Sequence, residues 1–345
     1  MLLAQYRYRI DIEKMMTIPT VVLDKVASAV AAQRIASTDI IQPLWGGYGE
    51  LFRAYLTGCQ YTSVIVKHIK LPQPKFHPRG WNTSLSHQRK LDSYHAEVNW
   101  YRDYANSCDQ LCPVPECLFV EHHDNEILLI LEDLSTCGYT QVLKQANQTA
   151  VFACLSWLGY FHGQHMNTEP NGLWATGTYW HLATRPDELN ALQDHALKSA
   201  AKAIDTTLNQ CKYQTLVHGD AKLANFCFTP DHCSAAAVDF QYVGRGCGMK
   251  DVILLLSSVL SFNESESVIE NYLDHYFTQL KQVLVKYHPN IDRDDVEHVW
   301  RPLYCVAWAD FQRFVKGWSP EHWKINPYTE SLTQRALEQL EKKER

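Results

Sequence analysis

The chain has 345 residues, 46% of them hydrophobic and 12% aromatic, which suits one bilobal or two-domain body with a packed core and excludes a charge-rich disordered chain. A formal net charge of −6 excludes a broad cationic field for nucleic acid or an acidic membrane surface. Eleven cysteines, an odd number with no paired CxxC elements, read as reduced thiols of a cytoplasmic protein.

After Arg7 and Arg9 no sustained apolar segment follows, so no secretory signal is expected. Met15 and Met16 offer an internal start, with the residues before them as an extension. Val21 to Ile35 reads as a helix, with Val22, Val26, Ala29 and Val30 on one face. Pro43 and the Gly46, Gly47, Gly49 cluster break that pattern, and Tyr61 to Ile69 reads as a strand. Pro72 to Ser86 reads as an exposed loop and Leu85 to Tyr104 as a polar helix. Phe119–Val120 and Glu126 to Leu131 form a hairpin around an acidic turn. Beyond the connector Glu132 to Leu134 the patterns are helical: Thr140 to His165, Asp187 to Leu208, Asp251 to Tyr287 and Asp294 to Val315. The most apolar stretch, Val252 to Phe262, is well short of the ~20 residues that span a bilayer.

The most informative segment runs from Leu216 to Phe228. An apolar lead-in delivers the turn His218-Gly219-Asp220, four residues intervene, and Asn225 precedes a short apolar strand. Ala235 to Val238 then ends in Asp239-Phe240-Gln241. Pairing Phe226 to Phe228 with Ala235 to Val238 across Thr229-Pro230-Asp231 brings Asp220, Asn225 and Asp239 together. Two carboxylates and an amide oxygen suit Mg²⁺ and a nucleotide triphosphate, with Asn225 and Asp239 as metal ligands and Asp220 free to accept a proton. Lys222 supplies a cation between them.

From about Leu44 to Leu332, and most strongly between Leu216 and Asp251, the chain resembles the aminoglycoside phosphotransferase and choline kinase branch of the protein-kinase-like superfamily. Within that branch it resembles most the ecdysteroid-kinase-like (CHK kinase-like) group. The resemblance implies an α+β, bilobal protein-kinase-like fold, with a small antiparallel-sheet N-lobe over 1–131 and a larger, mainly helical C-lobe over 132–345. It implies ATP-dependent transfer of a γ-phosphate to a hydroxyl of a small molecule, with ATP and Mg²⁺ as cofactors. Lys222 occupies the place of a lysine that reaches the γ-phosphate. Lys67, at the end of Ser63-Val64-Ile65-Val66-Lys67, resembles the anchor of the α- and β-phosphates, and Glu97 the glutamate that pairs with it. Leu129 to Leu134 resembles the hinge, with Glu132 and Leu134 offering backbone groups to adenine, and Asp251 matches an aspartate that steadies the catalytic loop. The phosphate loop departs from GxGxxG: Trp45 to Phe52 supplies Gly47 and Gly49 without a third glycine. A catalytically inactive, pseudokinase-type binding or scaffold protein is the alternative, whereas a protein kinase is disfavoured because no Ala-Pro-Glu element or long activation segment follows Asp239.

Other features have ordinary readings. Asp251 is expected to N-cap the helix that follows it. Gly244, Gly246 and Gly248 read as a flexible loop, and His162 and His165 as packed or exposed histidines with no zinc assigned. Trp300, Tyr304, Trp308 and Phe311 form a helical core stripe. The turn Gly317 to Trp323 offers aromatic faces on which a bulky apolar or quaternary-ammonium acceptor could stack.

Overall fold

The computed structural model describes residues 18–44, 47–71, 83–123 and 125–344. The N-terminal extension, Trp45, Gly46 and most of the proline-rich segment lie outside these residues. The chain divides into two compact units, one drawn from Met1–Pro72 and Cys117–Asp133, the other from Gln73–Glu116 and Leu134–Arg345.

The first unit is one antiparallel sheet with a helix on it. Helix α1 (Thr20–Ala29) precedes strands β1 (Arg34–Pro43), β2 (Gly49–Thr57), β3 (Ser63–Lys70), β4 (Cys117–His123) and β5 (Glu126–Glu132), in the spatial order β1-β2-β3-β5-β4. Alternation along β2 turns Phe52, Ala54 and Leu56 inward, where they meet Val64 and Val66 of β3, Leu128 and Ile130 of β5, and Val22 and Val26 of α1. Full burial of each large aliphatic or aromatic side chain contributes about 1.5–3 kcal/mol. The expected hairpin forms, with Glu126 opposite His123. The first helix is shorter than the sequence suggests. Ala31 takes a left-handed φ of 52° and Ala32 N–H closes back on Ala27 O at 2.9 Å, so Ile35 enters β1 instead of the helix. That strand lies at the sheet edge and is largely exposed, so its residues lack the alternation that marks a half-buried strand.

The second unit is mainly helical. Helix α2 (Thr83–Asp103) belongs to it, although the sequence assigns that stretch to the first lobe. The physical reason is its aromatic end: Trp100 stacks on Phe240 with centroids 4.5 Å apart and meets Phe161 edge-on at 5.5 Å.

Four expected helices are shortened or split. Gln141–Val142 forms a short strand, β6, and helix α3 (Gln148–Gln164) starts only after Asn147, whose Oδ1 accepts Ala150 N–H at 2.9 Å. Helices α4 (Pro186–Ala191) and α5 (His195–Asn209) separate at Asp194, which caps Leu197 N–H at 3.0 Å. Strands β7 (Thr215–Val217), β8 (Phe226–Phe228), β9 (Ala235–Ala237) and β10 (Gly244–Gly246) follow. Helices α6 (Met249–Val259) and α7 (Glu266–Tyr287) replace one long helix. Pro302, with no N–H to donate, then separates α8 (Arg293–Trp300) from α9 (Leu303–Trp318). Helix α10 (Pro327–Glu344) has no counterpart in the expectations. Trp300, Trp308 and Phe311 are buried, as the core stripe requires. No helix among the described residues is long and apolar enough to cross a membrane.

Candidate active site

The chemistry-bearing turn hangs between two short sheets. Buried strand β7 delivers His218, and Gly219 follows with a φ of 79°. A Cβ on Gly219 would stand 2.0 Å from Tyr242 O, so the turn accepts only glycine. Downstream, β8 pairs with β9 in the register Phe226 opposite Ala237, as the sequence predicts. Val238 N–H donates to Asn225 O at 3.0 Å, which ties the residue before Asp239 to the end of the His218–Asn225 segment. Asp239 itself has a φ of 69°, a left-handed conformation that aspartate tolerates better than most residues.

The glycines after Asp239 are not a flexible loop. Gly244–Gly246 is β10, antiparallel to β7 with Gly244 opposite Val217. A Cβ on Gly244 would lie 2.1 Å from Trp174 O, so these glycines permit close packing of three segments. Asp251 is likewise no N-cap, because Gly248 holds that position and Asp251 sits in the first turn of α6. Its carboxylate faces the His218–Gly219–Asp220 turn instead: Oδ2 accepts His218 N–H at 2.6 Å and Oδ1 accepts Gly219 N–H at 2.9 Å. Buried His162 holds the same carboxylate, with Nε2 3.1 Å from Asp251 Oδ2 and Nδ1 2.8 Å from the Tyr276 hydroxyl.

His218 is a positioning residue. Its Nε2 lies 3.0 Å from Val238 O, which can only accept, so Nε2 carries the proton and Nδ1 accepts Asp220 N–H at 3.2 Å. Asp220 is 6% exposed. Its Oδ2 accepts Lys222 Nζ at 2.7 Å and Asn225 Nδ2 at 3.1 Å, while buried Oδ1 has no hydrogen-bond partner among the described residues. Burial raises the Asp220 pKa, and the nearby Asp239 charge adds to this against the opposing pull of Lys222. For Lys222, burial disfavours the charge, but the Asp220 and Asp239 carboxylates outweigh it and raise the pKa.

Asp239 is fixed from α2, an arrangement with no signal in the sequence. Gln241 Nε2 donates to Asp239 Oδ1 at 2.8 Å, and Gln241 Oε1 accepts Lys90 Nζ at 2.7 Å. Asn225 spends its amide N–H groups on Asp220 O, at 2.8 Å, and on Asp220 Oδ2. Its carbonyl oxygen and the Asp239 carboxylate are then hard oxygen donors of the kind Mg²⁺ takes, so the residues fit that ion.

The other expected site residues divide between the units. Lys67, 5% exposed on β3, lies opposite Leu51 and Leu129, whereas Glu97 is buried on α2 in the second unit. Gly47 and Gly49 have φ of 79° and 118°, and a Cβ on Gly49 would lie 2.0 Å from His68 O. Glu132 ends β5 opposite Val64, and buried Leu134 opens a single helical turn through Cys137. Between them Asp133, which the hinge reading includes without a role of its own, accepts Arg53 Nε and Ser63 Oγ at 2.6 Å each.

A model of the phosphotransferase enzyme family matches residues 41–287. No curated protein matches the chain. Among solved structures, it is similar to an aminoglycoside phosphotransferase from Streptomyces rimosus in complex with ADP and streptomycin, at 13% identity and a TM-score of 0.47 over 87% of this chain and 99% of that one. It is also similar to a choline kinase from Cryptosporidium parvum, at 11% identity and a TM-score of 0.48 over 94% and 96%. A putative fructosamine-3-kinase from Haemophilus somnus gives 13% and 0.44 over 92% and 96%.

Proposed function

Because this chain belongs to the phosphotransferase enzyme family, we propose that it moves the γ-phosphate of ATP to a hydroxyl of a small-molecule acceptor, with Asp220 as the proton acceptor. The observation that carries this reading is the asymmetry of the Asp220 carboxylate. One oxygen is fixed by Lys222 and Asn225, and the other is buried and unpartnered among the described residues, ready to receive a hydroxyl proton.

In this reading the acceptor O–H donates to Asp220 Oδ1 as its oxygen forms the new bond to the γ-phosphorus. The bond from that phosphorus to the β,γ-bridging oxygen breaks, and ADP leaves with its electron pair. Lys222 holds Asp220 in place and supplies positive charge where phosphate charge shifts. Asn225 and Asp239 would hold Mg²⁺, which when bound neutralises and orients the phosphates. Lys67, with Glu97, is proposed as the phosphate anchor, and Gly47, Gly49, Glu132 and Leu134 as nucleotide contacts, on the strength of the sequence pattern.

The test is a thermal-shift titration with MgATP on the wild-type chain and on Asp239→Asn, followed by an ADP-release screen of hydroxylated compounds. At a hundred times its dissociation constant a ligand stabilises by about 2.7 kcal/mol. A magnesium-dependent shift lost in the variant, with ADP release on some acceptor, is the expected result. No shift in either protein would overturn the reading.

A further inference from the structure

The expectation that aromatic faces of the Gly317 to Trp323 turn receive a quaternary ammonium meets a competitor within the chain. Trp323 is 59% exposed, yet Lys324 Nζ already sits 5.6 Å from its ring centroid and 5.2 Å from that of Phe311. A cationic acceptor stacking there would meet a like charge.

Lys324 is held in place from several directions. Its carbonyl accepts Gln312 Nε2 at 2.9 Å and Thr329 Oγ1 at 2.9 Å, and its N–H donates to His322 Nδ1 at 3.1 Å. Gln312 and Thr329 are both fully buried, so this stretch of backbone is pinned to α9 and α10. The ammonium donates to Ser257 Oγ at 3.0 Å near the end of α6. The adjacent Ser258 Oγ accepts Leu223 N–H of the catalytic turn at 2.9 Å. One end of α6 therefore joins Lys324 to the segment that carries Asp220.

The charges at this spot do not balance. Asp220 already has its cation in Lys222, 2.7 Å away, whereas among the described residues the partners of the partly buried Lys324 ammonium are a neutral hydroxyl and two ring faces. An ammonium has three N–H donors, and Ser257 takes one. A half-buried cation without an anion is costly, and the cost is relieved when an anion enters. Burial lowers the Lys324 pKa to about 8; the Asp220 charge pulls the other way and the Lys222 charge pushes in the same direction as burial.

We propose that Lys324 is a specificity-determining residue that binds an anionic oxygen group of the acceptor, making this a kinase of small hydroxy acids. The inference rests on the kinase reading above and names its substrate class.

The experiment compares hydroxy acids with their primary amides as matched pairs, measured by thermal shift in the presence of MgADP and by ADP release from MgATP. Wild type, Lys324→Met and Lys324→Arg are run together, and MgADP stabilisation of each variant reports that it is folded and holds nucleotide. In wild type, at least one acid binds on the order of 10- to 100-fold more tightly than its amide. Lys324→Met abolishes that difference, and Lys324→Arg keeps part of it. The same acid protects Lys324 from an amine-selective acylating reagent at pH 8, read by peptide mass spectrometry, which a merely structural lysine would not show. The assignment is overturned if no acid of the panel stabilises wild type beyond Lys324→Met, if the preference persists in that variant, or if protection is absent. A missing MgADP shift together with no ADP release on any acceptor would instead refute the kinase reading itself.

Discussion

Asp251 Oδ2 accepts the His218 backbone N–H at 2.6 Å, across a sequence separation that joins helix α6 to the turn carrying Asp220. The other oxygen takes Gly219 N–H at 2.9 Å, so one carboxylate satisfies two consecutive buried donors. Asp251→Ala leaves both donors, and His162, without it. The expected cost is about 2–4 kcal/mol, from lost charged hydrogen bonds and orphaned donors. Urea unfolding measures the stability, and turnover should fall with it. A variant as stable as wild type would show that water replaces the carboxylate.

Much of this turn is legible in the sequence because its chemistry is local. His218, Asp220 and Asn225 are close along the chain, and a hairpin of two short apolar strands is enough to return Asp239 to them. The supports are not legible, because they come from distant segments. Lys90 and Gln241 meet across 151 positions and His162 and Asp251 across 89, with no spacing rule to connect them. The lost strand β1 has a different cause: its exposed edge position removes the alternation on which a sequence reading depends. The Gly244 to Gly248 segment reads as flexible only until its neighbours are seen, since crowding by Trp174 O is invisible in one dimension.

Asp220→Asn keeps the shape and the contacts to Lys222 and Asn225 but removes the proposed proton acceptor. Turnover should fall by about 10²- to 10⁴-fold, the usual range for a general base. The MgATP-induced thermal shift should persist, because Asn225 and Asp239 are untouched. Full turnover in this variant would show that Oδ1 does not take the proton.

Gly219 and Gly47 form a controlled pair, since both have φ of 79°. A Cβ on Gly47 meets nothing within 4 Å among the described residues, whereas one on Gly219 would stand 2.0 Å from Tyr242 O. Gly47→Ala therefore carries only the left-handed penalty, about 1–2 kcal/mol. Gly219→Ala carries that penalty plus a backbone displacement, and should lower the urea midpoint considerably further. Equal midpoints for the two variants would show that the Tyr242 segment yields without cost.

Stability should fall on mild acidification because of His165. Burial lowers its pKa to about 4, and the neighbouring His162 and His288 push in the same direction. The ring packs edge-on against Trp100 at 5.7 Å and Phe161 at 4.9 Å, and its Nε2 has no hydrogen-bond partner among the described residues. An unfolded chain binds this proton near pH 6.5 and the folded chain near pH 4, so between those values the unfolded state holds more protons. The contribution is complete above pH 6.5 and is lost as pH falls toward 4, by roughly 3 kcal/mol at most. His181, lowered to about 3 chiefly by burial, acts with the same sign. His165→Phe removes one titrating group and keeps the aromatic packing. Urea midpoints at pH 7.5, 6 and 5 should therefore converge in the variant relative to wild type, and an unchanged pH dependence would show that His165 is protonated in the folded chain.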